Sequence, residues 1–196
     1  MNAYKELPEG YTLAKEVDAA GNKKLAVLFN LAALLLTAAV FCAGCLIRFR
    51  GLPPLALMLK NLWALEGMLG LFLLGTLAYL VLHELTHGAV YKLLTGEKLT
   101  FGIRLSCAYC GVPNSVVTRK TALWAVLAPF TLFTLLFLPL IALRSSYCAL
   151  LFLLLFALHA GGCVGDLYCA YLLLFRLKGP LLMKDTGPKQ SFYLKR

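Results

Sequence analysis

The sequence predicts an all-α integral membrane protein with four transmembrane helices and one short β-hairpin between the second and third. Three observations carry that expectation. The 196-residue chain is 61% hydrophobic and 14% charged, with a mean hydropathy of +0.80, whereas a soluble domain carries about 25% charged residues. Its apolar residues are gathered into four long runs, each sufficient for the roughly 20 helical residues that cross a hydrocarbon layer. Between runs two and three the pattern changes to weak alternation followed by turn residues, as in paired strands.

Residues 1–24 form a polar head with a turn at Pro8-Glu9-Gly10. The membrane domain, 25–176, contains spans at about 25–47, 67–91, 121–143 and 148–175, and 177–196 is a polar tail. After the first span comes Arg48-Phe49-Arg50-Gly51-Leu52-Pro53-Pro54, and then a mildly apolar stretch, 55–65. That stretch is too short to span, so it is expected at the interface or as a re-entrant turn. The most polar interior segment, 92–120, holds the alternating Leu99–Leu105 and the turn-forming Gly111-Val112-Pro113-Asn114, hence the hairpin. No cleavable signal peptide is expected, because about two dozen polar residues of mixed charge precede the first apolar run.

The net charge is +10, but the basic residues lie in connections and form no stripe on a soluble element, which argues against nucleic acid as a partner. They read instead as topology signals and as contacts with membrane lipids. Fifteen of the nineteen Lys and Arg residues fall in the head, in 92–120 and in the tail. With four spans these three segments share one side. The positive-inside rule makes that side cytoplasmic, giving a multi-pass plasma-membrane protein with both termini in the cytoplasm.

The seven cysteines fall mostly in apolar segments, where a thiol packs as a small hydrophobe. Two Cys-x-x-Cys pairs occur, Cys42/Cys45 and Cys107/Cys110. A zinc ribbon needs both pairs in one polar module, and here one pair lies in a span. Packing is the preferred reading for all of them.

The chemistry gathers in the spans. All three histidines, His83, His87 and His159, lie there, with the acids Glu84 and Asp166. A carboxylate at mid-bilayer costs about 2.5–3.5 kcal/mol on insertion scales, so a function is the default explanation. His83-Glu84-Leu85-Thr86-His87 places two imidazoles one helical turn apart, about 40° around the axis, where both reach one tetrahedral Zn²⁺. Glu84 is turned about 100° from His83, which suits it to a water held by the metal, whose proton it takes as general base. Gly88 follows and leaves room for another backbone or for substrate.

A third ligand is required, together with one open position. Asp166 and His159 are the candidates. At about 1.5 Å per residue, His83 and His87 lie about 24–30 Å from the start of the second span, Asp166 about 27 Å along the fourth, and His159 about 17 Å. Asp166 matches the level of the motif, and His159 is held in reserve. Gly161, Gly162 and Gly165 weaken the helix just before Asp166, which leaves room for distortion there.

With His83–Gly88 in one span and Gly162-Cys163-Val164-Gly165-Asp166 in the last, the chain resembles the small bacterial zincin peptidases, four-span proteins distantly similar to site-two proteases. The opening Leu7-Pro8-Glu9-Gly10-Tyr11 and the closing Lys184-Asp185-Thr186-Gly187 extend the resemblance over nearly the whole chain. It implies zinc held by His83, His87 and Asp166, with Glu84 as the base, and a membrane-protein or peptide substrate received on strands within 92–120. One departure stands out: site-two proteases carry an Asp-Gly pair, whereas Asp166 is followed by Leu167. The rival reading is a non-enzymatic membrane protein, a metal-binding adaptor or transporter accessory, in which these polar side chains only join helices.

Overall fold

Long apolar runs in this chain form helices because the backbone then satisfies its own hydrogen bonds. In the computed structural model, which describes residues 2–51, 62–104 and 107–195, they are α1 (Lys23–Phe49), α2 (Leu62–Thr95), α3 (Arg119–Ile141) and α4 (Ser146–Gly162). A shorter α5 (Val164–Tyr171) follows and ends in a π-helical turn, Leu172–Arg176. Asn22 starts α1 by accepting from the Leu25 amide at 3.1 Å, and Ser145 does the same for α4 through Cys148 at 3.4 Å. Among the described residues three helices are long and apolar enough to cross a membrane, and there are four if α4 and α5 count as one broken span. Their outward side chains are large and apolar, with Val27, Leu34, Leu74 and Leu135 each more than 60% exposed, a surface suited to lipid rather than water. The expected interfacial stretch, 55–65, lies mostly outside the described residues; from Leu62 onward it is part of α2.

The all-α expectation is wrong in one major respect. Both ends of the chain fold into a five-stranded antiparallel sheet made of β1 (Ala3–Tyr4), β2 (Tyr11–Asp18), β5 (Val116–Thr118), β6 (Leu181–Asp185) and β7 (Lys189–Lys195), in the order β1-β5-β6-β7-β2. The hairpin between the second and third long helices is present and separate: β3 (Thr100–Arg104) pairs with β4 (Cys107–Gly111). The register explains why the sheet forms. Ala3, Val117, Met183 and Phe192 are successive cross-strand partners, and the last three are fully buried. They join Tyr91 of α2, Ala122 and Ala125 of α3, and Leu173 in one core.

By contact, the chain divides into two compact units. The first, residues 1–30, 82–129 and 165–196, holds both sheets and every residue of the candidate site described below. Within it β2 carries a β-bulge at Ala14, between the Leu13–Tyr193 and Lys15–Phe192 pairs. The second unit, residues 31–81 and 130–164, is helical and cored by Tyr79, Phe133, Phe137 and Leu155. In that unit the Arg48 guanidinium donates to the Ile141 and Leu143 carbonyls at the end of α3, where a cation complements the helix dipole.

Candidate metal centre

One face of α2 carries His83, His87 and Tyr91 at four-residue spacing, all buried. Asp166 comes to that face from the first turn of α5. The helix is interrupted at Cys163 and restarts at Val164, so the carboxylate sits where the new helix's dipole favours negative charge.

The donor atoms converge. His83 Nε2 and His87 Nε2 are 3.2 Å apart. His83 Nε2 lies 3.2 Å from one Asp166 oxygen, and His87 Nε2 lies 3.5 Å from the other. Ligands about 2.0–2.1 Å from a tetrahedral zinc ion stand about 3.3–3.4 Å from one another. The two nitrogens stand at about that separation, and each lies at about that distance from a carboxylate oxygen of Asp166, so the three side chains could hold one such ion. The nitrogen and oxygen donors also suit zinc.

The tautomer fits as well. His87 Nδ1 lies 2.8 Å from the Ala125 carbonyl oxygen, which only accepts, so Nδ1 carries the proton and donates it. That leaves the Nε2 lone pair on the Asp166 side. An orienting bond of this kind is the usual outer support of a ligating imidazole. Glu84 is on the same turn of α2 and partly buried.

Gly88, next to His87, does not face open space. A Cβ there would lie 2.8 Å from Phe101 Cζ and 3.2 Å from Cys110 Sγ, so the β3–β4 hairpin packs directly beside the motif. The Cys110 thiol is pushed up to about 12, first by burial and then by the nearby negative charges of Glu84 and Asp185. It remains protonated near neutrality and packs as an apolar group, as expected for the cysteines. Among the described residues every cysteine whose side chain is placed is free.

His159, the reserve ligand, sits in the second unit and is fully buried. Its Nε2 lies 3.3 Å from the Phe130 carbonyl and 3.2 Å from Thr134 Oγ1, while Nδ1 is 3.0 Å from Tyr79 Oη. Proton donation from Nε2 to the Phe130 carbonyl leaves Nδ1 to accept from Tyr79. Arg119 donates to the carbonyls of Leu173, Leu177 and Gly179 at the end of the last helix, and Asn114 is exposed in a turn.

Sequence reasoning missed Asp185. This residue, only 4% exposed, accepts from Tyr91 Oη at 2.7 Å and from the Gly187 amide at 2.8 Å. Burial pushes its carboxyl up to about 6, against the opposing pull of these donors and of His87. It therefore ties the β6–β7 turn to α2 one helical turn beyond His87. The Asp-Thr-Gly turn was a legible signal. Its contact with a tyrosine 94 residues away was not.

A family model described as putative zincin peptidase matches residues 76–180, a stretch that contains His83, Glu84, His87, His159 and Asp166. Neither the curated proteins nor the solved structures contain a match.

Proposed function

Because this chain belongs to the zincin peptidase family, we propose that it is a membrane-embedded zinc endopeptidase with His83, His87 and Asp166 as ligands and Glu84 as general base. The observation that carries the reading is the convergence of donor atoms, with the two Nε2 atoms 3.2 Å apart and lying 3.2 and 3.5 Å from the two Asp166 oxygens, and with Glu84 on the same turn of α2. Zinc, when bound there, supplies Lewis acidity and brings the pKa of water down toward 7.

The chain's own residues do the rest. Asp166 brings negative charge to the ligand set, and the Ala125 carbonyl holds the His87 ring in its ligating tautomer. Glu84 accepts the proton of the attacking water and returns it to the amide nitrogen as the C–N bond breaks. The β3–β4 hairpin beside Gly88 is the element suited to hold an extended peptide. Among the described residues β3 pairs only with β4, leaving an edge able to pair with a substrate strand.

The apolar outer surface of the helices supports a multi-pass membrane location, and the distribution of Lys and Arg supports cytoplasmic termini. The substrate class that follows is a membrane-protein or peptide segment close to the cytoplasmic face.

Purified protein should carry about one zinc per chain. Comparing membrane proteomes of cells expressing wild type or Glu84→Gln should reveal the substrate as the protein cut only by wild type. Glu84→Gln should retain the metal and lose cleavage of that substrate. Retained hydrolysis in this variant would refute the role of Glu84. The non-enzymatic reading is favoured by one feature, that with a proton on each Nε2 both imidazoles pair with the Asp166 carboxylate without a metal. Absence of zinc from both wild type and His87→Ala would select it.

A further inference from the structure

Two breaks in regular backbone meet at one cavity, whose lining includes none of the metal-centre residues. In β2 the bulge at Ala14 inserts an extra residue opposite β7, and such insertions re-aim the neighbouring side chain. In the last helix, residues Leu172–Arg176 widen into a π-turn, closed by the Leu177 amide bonding to the Leu172 carbonyl. π-turns collect at functional sites. Between these irregularities lies an open cavity of about 550 Å³, lined by Ala14 and Lys15 on one side and by Tyr168, Tyr171 and Arg176 on the other.

The lining has a definite chemistry. Lys15 and Arg176 bring two positive charges to one cavity, and among the described residues neither forms an ion pair. Tyr168 packs against Phe29 in a T-shaped contact, with ring centroids 5.4 Å apart. Beside the cavity, the Tyr171 ring lies tilted against Phe175, with centroids 5.9 Å apart, and Leu174 and Phe175 are 45% and 62% exposed. Cations, tyrosines and an exposed apolar strip therefore occur together at the end of an apolar helix. This is the composition of a membrane–water boundary.

We propose that this cavity is a binding site for an anionic phospholipid, its phosphate held between Lys15 and Arg176 and its acyl chains lying along Leu174 and Phe175. The proposal rests on the membrane location argued above but not on peptidase activity. The occupant follows from complementarity. The two cations call for a phosphate-bearing head, the tyrosines for an interfacial glycerol region, and the exposed strip for hydrocarbon. A soluble phosphate would use only the first of these. A neutral lipid would leave both charges unmet.

The test uses detergent-purified full-length protein, titrated by native mass spectrometry with short-chain phosphatidylglycerol, short-chain phosphatidylcholine or inorganic phosphate. Phosphatidylglycerol should bind at one saturable site, at least tenfold more tightly than either of the others. Lys15→Gln and Arg176→Gln should each weaken it roughly fivefold and together roughly 25-fold, from the usual worth of one basic residue at an anionic surface. The charge-keeping pair Lys15→Arg with Arg176→Lys should bind within about twofold of wild type, and Lys5→Gln, at an exposed lysine outside the cavity, should have no effect. Undiminished binding by the Lys15→Gln/Arg176→Gln protein would overturn the assignment. So would equal affinity for phosphatidylcholine, or for inorganic phosphate, the latter marking a site for soluble anions. Release of the protein from membranes by alkaline carbonate would overturn the membrane reading itself, and zinc content would report separately on the metal centre.

Discussion

Replacing Tyr91 with phenylalanine deletes a single oxygen from the interior, and its cost should depend on pH because of the acid it serves. Tyr91 is 1% exposed, and its hydroxyl donates to Asp185 at 2.7 Å. The Asp185 carboxyl, ordinarily near 3.8, is raised to about 6 by burial. The folded chain thus binds this proton more tightly than the unfolded chain does. Stability from this group is fully present below about pH 4 and declines as pH rises through about 6, by about 3 kcal/mol in total. Above that range the tyrosine serves a carboxylate, a bond worth roughly 1.5–3 kcal/mol; below it the bond is between neutral groups, roughly 0.5–1.5 kcal/mol. Tyr91→Phe should therefore cost about 2 kcal/mol at pH 8 and about 1 kcal/mol at pH 5. The difference corresponds to moving the Asp185 midpoint from about 6 to near 7. Unfolding of micelle-embedded protein by added dodecyl sulfate, followed by circular dichroism at both pH values, measures this directly, with Asp185→Asn as the variant that should abolish the slope. Equal cost at both pH values, or a slope that survives in Asp185→Asn, would refute the reasoning.

Alanine at His83, His87 or Asp166 should each reduce bound zinc well below one per chain after dialysis, read by elemental analysis. His159→Ala should leave zinc stoichiometric while lowering stability by about 2–3 kcal/mol, since it empties a buried site and removes the imidazole that Tyr79, Thr134 and the Phe130 carbonyl contact. A Cβ at Gly111 would lie 2.4 Å from the Gly187 amide nitrogen and 2.9 Å from the Asp185 carbonyl oxygen, both backbone atoms with little freedom to move. Gly111→Ala should therefore destabilise by at least about 1–3 kcal/mol in the same unfolding assay. Arg119→Ala strips donors from three carbonyls at the end of the last helix and should cost a similar amount. Arg119→Lys should recover only part of that loss, because an ammonium does not reproduce the guanidinium fork.

What could be read from the sequence follows the range of the interactions. Helices and the β3–β4 hairpin join residues close in sequence, so hydropathy runs and the alternation over Leu99–Leu105 announce them, although Gly111-Val112-Pro113-Asn114 begins at the last residue of β4 and is not the hairpin's own turn. The His83–Glu84–His87 spacing is likewise local, and placing Asp166 needed only a count of residues along two helices. The five-stranded sheet gave no such signal. Val117 pairs with both Ala3 and Met183, and no window of sequence contains all three. β2 is mostly exposed, with only Val17 buried, so its composition matches that of a polar head. Asp185 fell in the same blind spot: a charged residue in a polar tail becomes a buried partner of α2 only once the tail is a strand.

The strand order also bears on how the chain matures during synthesis. Among the described residues β2 has β7 as its sole neighbour in the sheet, and the residues they pair are 171 to 184 positions apart. At roughly 5–20 residues per second, β2 emerges from the ribosome roughly 10–35 s before its partner exists. During that interval its unpaired edge could recruit other nascent chains. Thr12, Lys15 and Glu16 point into solvent, and Glu16 finds its ion-pair partner, Lys189, only when β7 arrives. The charge that made this segment look like an unstructured head is what allows a strand to wait in water without aggregating.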